Sequence, residues 1–190
     1  MHIYIDMNKL KKIEKYSLSQ SDIYKVFKPK TINIILYEDL NKYETIDEIF
    51  KGSSFNHCVM FFPENKQENN GHWTCIIKHV NNTYEYFDSY KNYPPDSERK
   101  WLSKQLIDEL HLQQPLLKDL FNRSGVKSVI FNHLPFQAMK PNIDDCGRHA
   151  CCRLLNSNLT ITQYWNMIKK SKWKNPDEYV SFTIYEIIGK

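Results

Sequence analysis

A cysteine at the head of a helix, with a histidine and an aspartate able to reach it, can attack a carbonyl, and this chain carries such residues. Asn142–Leu155 reads NIDDCGRHACCRLL. Asp144 or Asp145 can act as N-cap, its carboxylate accepting a hydrogen bond from a free amide of the first turn. Cys146 then heads a helix whose inner stripe would be Ala150, Cys151, Leu154 and Leu155. The positive end of the helix dipole favours a thiolate over a thiol. Gly147 puts no side chain beside the sulfur, so a substrate backbone can come close. The same stretch also reads as a buried helix that uses its cysteines as small core residues.

A cysteine nucleophile needs a base, and the base needs an orienting group. His72 lies in GHW, where a loop meets a strand, and Asp88 lies in FDSY at the exit of the partner strand. With a turn at Asn81-Asn82, Trp73 pairs near Phe87 or Asp88, which brings His72 and Asp88 to one end of a hairpin. Asp88 can then accept the Nδ1 proton of His72, fixing the tautomer and stabilising the imidazolium. An exposed strand-end histidine beside a turn aspartate gives the same pattern without any chemistry. Gln137, in the loop before Cys146, can aim its amide at a developing oxyanion, with the backbone N–H of Cys146 as second donor. A solvated loop glutamine is the plain alternative.

Several elements must hold these residues. Ser19 and Asp22 start a short helix over Gln20–Phe27 that Pro29 stops. Thr31–Tyr37 and His57–Phe62 are apolar runs of strand length. Thr45 and Glu48 form a capping box for a helix ending near Gly52. Pro63–Gly71 is a polar loop, and Trp73–Val80 with Thr83–Asp88 makes a hairpin around Asn81-Asn82. After Ser97, Leu102, Leu106 and Leu110 share a helix face, and Pro115 opens another helix ending near Gly125. Lys127–Phe131 is a last strand, and Asn132–Asp145 is a loop leading to Cys146. Thr160 caps a helix with Ile161, Tyr164, Trp165 and Ile168 facing inward. Asn175-Pro176 opens a final element, helical or extended. The sum is one α+β domain over residues 1–190, a central sheet with helices segregated around it.

Bulk properties narrow the setting. A formal charge of +4 is too small to argue for a nucleic-acid partner. The N-terminus MHIYIDMNKLKK lacks the apolar core and cleavage site of a signal peptide. No apolar run approaches the roughly 18 residues of a membrane span. Five cysteines without regular spacing fit a reducing compartment rather than a disulfide scaffold. The basic clusters Lys9–Lys15 and Lys169–Lys174 read as solvated helix faces.

The order His-Trp, then Asp in YFDSY, then Gln, then Asp-Cys-Gly resembles the cysteine proteases that group adenovirus maturation protease with the SUMO proteases. The likeness runs from about Tyr37 to Cys152 and on toward Ile188. GHW, EYFDSY and CGRHACCRLL, with ILYEDL before them and PDEYVSF after, resemble the viral-maturation branch, found in virophages, Maverick/Polinton elements and large DNA viruses. The resemblance implies an adenain-like, papain-related fold: a mixed sheet flanked by helices, with the nucleophile at a helix N-terminus.

It also implies Cys146 as nucleophile, His72 as general base and acid, Asp88 as orienter and Gln137 as oxyanion donor. Trp73 would pack on the histidine or shape the substrate groove. Arg148 and His149 would be structural, with His149 a weaker rival for the base. The implied activity is an endopeptidase cutting after glycine, in Gly-Gly-X-like sites of capsid or scaffold precursors. It would work without cofactor or metal and apart from membranes, at a viral assembly site or in host cytoplasm, and be packaged in the virion. DNA or a peptide could activate it, as in adenovirus-type proteases. Three rivals stay open: an isopeptidase for a ubiquitin-like modifier, a zinc module on Cys146, His149, Cys151 and Cys152, and a catalytically dead binding domain.

Overall fold

The computed structural model describes residues 7–64, 71–91, 94–140 and 143–189. Five strands form one mixed sheet in the order β1 (Asn33–Leu36), β2 (His57–Pro63), β3 (Gly71–Lys78), β4 (Thr83–Phe87) and β5 (Ser128–Phe131). The β2–β3 and β3–β4 pairs are antiparallel, and the outer pairs β1–β2 and β4–β5 are parallel. A parallel pair needs a crossover between its strands. Two 3₁₀ helices, Tyr37–Lys42 and Ile46–Phe50, make the first crossover. A 3₁₀ helix at Ser97–Trp101, then α3 (Lys104–Glu109) and α4 (Leu116–Arg123), make the second.

Both sheet faces are covered, so the central strands are buried on both sides instead of alternating buried with exposed. Every residue of β2 is buried. Val59, Phe61, Trp73, Cys75, Ile77 and Phe87 project to one face. There they meet α2 (Gln20–Phe27), α5 (Cys146–Leu155), α6 (Ile161–Lys169) and α7 (Pro176–Ile188). Cys58, Met60, Phe62, Ile76, Tyr84 and Tyr86 project to the other, under the 3₁₀ helices, α3 and α4. The remaining helix, α1 (Met7–Glu14), lies against α7. No helix among the described residues is long and apolar enough to cross a membrane.

Local chemistry sets most boundaries as expected. Ser19 and Asp22 form a capping box on α2, and Thr160 and Gln163 form one on α6. Asn175 caps α7 through the Glu178 amide, with Pro176 in the first turn, which settles the last element as a helix. Other expectations change. Thr45 makes no cap bond; the Glu48 carboxylate accepts from the Glu44 N–H instead, and the segment winds as a 3₁₀ helix. The stretch after Ser97 is two short helices, because Ser103 caps a new start at the Leu106 amide. Of the expected loops, residues 65–70 and 141–142 lie outside the described residues.

Candidate active site

The hairpin fixes where His72 and Asp88 point. The ladder pairs Lys78 with Tyr84 and Cys75 with Phe87, and the His79 N–H donates to the Thr83 carbonyl. The loop is therefore Val80–Asn82, one residue longer than Asn81-Asn82 alone, with both asparagines at positive φ. A one-residue change of register moves side chains to the opposite face of a strand. The expected pairing of Trp73 near Phe87 or Asp88 is shifted, since Phe87 lies opposite Cys75. In the observed one, Asp88 follows opposite Thr74 and shares a face with His72. Strand β3 also outruns β4: Gly71–Thr74 pair only with β2. That leaves the end of β3 open, and there the two side chains meet.

His72 Nε2–H donates to Asp88 Oδ1 at 3.1 Å. The expected contact through Nδ1 is thus corrected: Asp88 meets the other ring nitrogen. Cys146 interacts with the same ring, through a side-chain hydrogen bond and its charge. Burial opposes a charged imidazole, but the Asp88 charge and hydrogen bond, with Cys146 acting the same way, hold His72 well above its ordinary 6.5. Burial pushes the Asp88 carboxyl up, and His72 more than offsets this, so it sits below the usual carboxylate range.

Cys146 reaches this point from the first turn of α5, which packs across β3. Asp145 occupies the cap position, yet its carboxylate makes no cap bond. It accepts from Arg148 at 3.1 Å and from the Ser181 hydroxyl at 2.8 Å. Burial raises its carboxyl well above the ordinary value, with Arg148 pulling the other way. Gly147 serves packing rather than substrate approach. A Cβ there would lie 3.1 Å from the Trp73 ring and 3.2 Å from Leu18. Leu155 turns out to solvent, while α5 is buried from Cys146 to Leu154.

A cleft of about 370 Å³ opens over the sulfur, lined by Gly71, His72, Tyr90, Gln137 and Cys146, with Ser17, Glu64, Met139 and Asp144 around it. Gln137 is held in a defined pose. Its N–H donates to the Ser89 carbonyl, and its Oε1 accepts from the Ser89 hydroxyl at 2.6 Å. That leaves the NH₂ with two long contacts, to the Tyr90 hydroxyl at 3.4 Å and the Ile143 carbonyl at 3.5 Å. The amide can therefore donate into the cleft. Asp177 secures the next residue by accepting from the Ala138 N–H, and its other oxygen holds His149 at 2.9 Å. His149 thus faces α7 and takes no part in the cleft.

Trp73 is placed beneath the site. Its ring packs on Phe61, its Nε1–H donates to the Leu18 carbonyl, and it does not line the cleft. The aromatic wall at the sulfur is Tyr90, which sequence reasoning missed. Tyr90 stacks on His72 at 5.1 Å, and its N–H donates to Asp88 Oδ1 at 2.8 Å. The alternation of a strand continued past Asp88 would have pointed to it, since positions 88 and 90 share a face. Cys58, Cys75, Cys151 and Cys152 are fully buried, and burial pushes each thiol up. Among the described residues, Cys146, His149, Cys151 and Cys152 form no group that could hold a metal; His72, Asp88 and Glu98 do come together.

No family model matches the chain. It is 34% identical over 178 residues to the uncharacterized protein V9 of the Sputnik virophage, covering 92% of this chain and 98% of that one. Among solved structures it is similar to the ASFV pS273R protease (17% identity, 90% of this chain and 67% of that one, TM-score 0.44). It is also similar to the C-terminal protease domain of yeast Ulp1 in complex with Smt3 (15% identity, 98% and 85%, TM-score 0.39). The central domain of Lpg1148 from Legionella pneumophila is a further one (14% identity, 90% and 96%, TM-score 0.42). Scores this low carry no argument about chemistry, which rests on the side chains.

Proposed function

We propose, for a chain that belongs to the family of the Sputnik virophage V9 protein, that it is a cysteine endopeptidase with Cys146 as nucleophile. The observation that carries this reading is the meeting of Cys146 and His72 in an open cleft, with Asp88 buried behind the ring and Gln137 in the cleft wall. His72 Nδ1 takes the thiol proton as Cys146 Sγ attacks the scissile carbonyl carbon. Negative charge collects on the carbonyl oxygen, which accepts from Gln137 Nε2 and the Cys146 backbone N–H. Helix geometry leaves that N–H without an intrahelical acceptor. His72 then gives its proton to the leaving amine, and a thioester remains on Cys146. The same ring deprotonates a water that hydrolyses the thioester and frees the sulfur. Asp88 stabilises the imidazolium at each stage and fixes the ring.

The substrate we assign is a capsid or scaffold precursor, cut after glycine during virion assembly. The viral relative supports the setting, and the sequence resemblance supports the substrate. Five free cysteines suit work at an assembly site in a reducing compartment. The test is co-expression with the capsid precursor of the parent virus, comparing wild type with Cys146→Ala and reading the cut site by mass. A new C-terminal glycine that appears only with wild type supports the reading. Cleavage of SUMO- or ubiquitin-type conjugates, with the precursor left intact, would replace it by the isopeptidase.

A further inference from the structure

Asp88 has a second acidic neighbour. Glu98, in the 3₁₀ helix after the Asp96 turn, is 1% exposed. Its Oε1 accepts from the Tyr86 hydroxyl. Among the described residues its Oε2 has no donor, and neither has Asp88 Oδ2. The other Asp88 oxygen is already in use, accepting from His72 and from the Tyr90 N–H. Ligand atoms of His72, Asp88 and Glu98 all lie within 4.8 Å of one another. Two carboxyl groups therefore approach in a dry site, each with one orphaned oxygen. Two carboxylates so placed would repel, and two buried acceptors without a donor are costly. One proton resolves both problems, since a protonated carboxyl donates an O–H to its neighbour. Asp88 touches the positive ring, so it is the one that stays ionised.

We propose that Glu98 is a positioning residue that keeps its proton and donates it to Asp88 Oδ2, holding that carboxylate against His72. This rests on the reading of Asp88 and His72 as catalytic partners. Asp88 is then fixed at both oxygens, and through Nε2 it fixes the ring whose Nδ1 serves Cys146. The electrostatics agree in direction. Burial, then Asp88, push the Glu98 carboxyl well above its ordinary value. The groups facing Glu98 are His72 from β3, and Tyr86 and Asp88 from β4 and its exit. Asp96 on its own segment is turned away, toward Tyr37 and the α4 amides.

Glu98→Gln tests this, because its NH₂ donates to Asp88 without a titratable proton and its oxygen can still accept from Tyr86. The first readout is the His72 titration by NMR in protein without substrate. The expected His72 midpoint in E98Q matches wild type, since a neutral group replaces a neutral group. A fall of about one unit or more would mean that Glu98 is ionised, and would overturn the proposal. The second readout is kinetic. Glu98→Ala is expected to lose about tenfold in kcat at unchanged KM, and Glu98→Gln to recover most of it. Equal impairment of both variants overturns the proposal, as does stoichiometric zinc bound to wild type and lost in E98Q. The titration needs no substrate, so a wild type that cleaves nothing would sink the protease reading while leaving the Glu98 proton measurable.

Discussion

Asp88 meets His72 at Nε2, 3.1 Å away, on a ring that also interacts with Cys146. The contact fixes the direction in which a proton can move, from sulfur to Nδ1, with the positive ring answered by a carboxylate behind it. Replacing Asp88 by Asn keeps the shape and removes the charge. Asp88→Asn is expected to lower kcat/KM by about 10²-fold or more, measured on a peptide substrate.

The same pair predicts a pH dependence of stability. His72 is held above its ordinary 6.5, so its share is complete below that value and is lost as pH rises through the folded pKa. Asp88 is held below its ordinary 3.8, so its share is complete above that value and is lost as pH falls through the folded pKa. The difference in melting temperature between wild type and Asp88→Asn should therefore be largest between those two ordinary values, and smaller at strongly alkaline pH. A difference independent of pH would contradict it.

Gln137 depends on Ser89. The Ser89 hydroxyl holds the amide oxygen at 2.6 Å, which decides that the NH₂ faces the cleft. Gln137→Ala should cost about 10²–10³-fold in kcat with KM little changed. Ser89→Ala should cost less in the same parameter, because the amide is then free to flip. A Ser89 variant that raised KM alone would show that the bond serves substrate binding instead.

The seam between α5 and the sheet holds a buried ion pair. Arg153 donates to both oxygens of Glu85, at 2.6 and 2.8 Å, and to the carbonyls of Asn156 and Leu159. Arg153→Met should cost about 3–5 kcal/mol in urea unfolding, since it strands a buried carboxylate. The double variant Arg153→Met/Glu85→Leu should recover much of that loss. Additive losses would mean that the two residues do not act as a pair.

Gly147 gives a steric prediction. Alanine would gain up to about 1 kcal/mol of helix propensity. It would also crowd Trp73, whose indole N–H is tied to Leu18, at a cost of about 1–3 kcal/mol. Gly147→Ala is expected to lower the melting temperature and to lower kcat, because the displaced turn carries Cys146. A more stable and fully active variant would contradict the packing role.

Much of this was legible in the residues, because some chemistry is local. The caps at Ser19 and Thr160 and the apolar runs of β1 and β2 need only near neighbours. The candidates Cys146, His72, Asp88 and Gln137 stand out by type; the fold brings Cys146, His72 and Gln137 to one cleft and sets Asp88 behind His72. What could not be read depends on register and tertiary contact. The extra loop residue at Val80 decides which face Asp88 takes. Asp145 looks like a helix cap until Ser181 and Arg148, from α7 and the next turn, claim its carboxylate. Glu98 and Tyr90 flank a proline-containing loop, so nothing local announces that they close around His72 and Asp88.

The central claim, that His72 activates the Cys146 sulfur, is tested most directly by iodoacetamide alkylation of wild type and His72→Ala, read cysteine by cysteine by mass. Cys146 in the folded wild type is expected to be labelled well ahead of Cys58, Cys75, Cys151 and Cys152, and the lead to disappear in His72→Ala. Labelling of Cys146 no faster than the four core thiols, or a rate unaffected by loss of the imidazole, would contradict it.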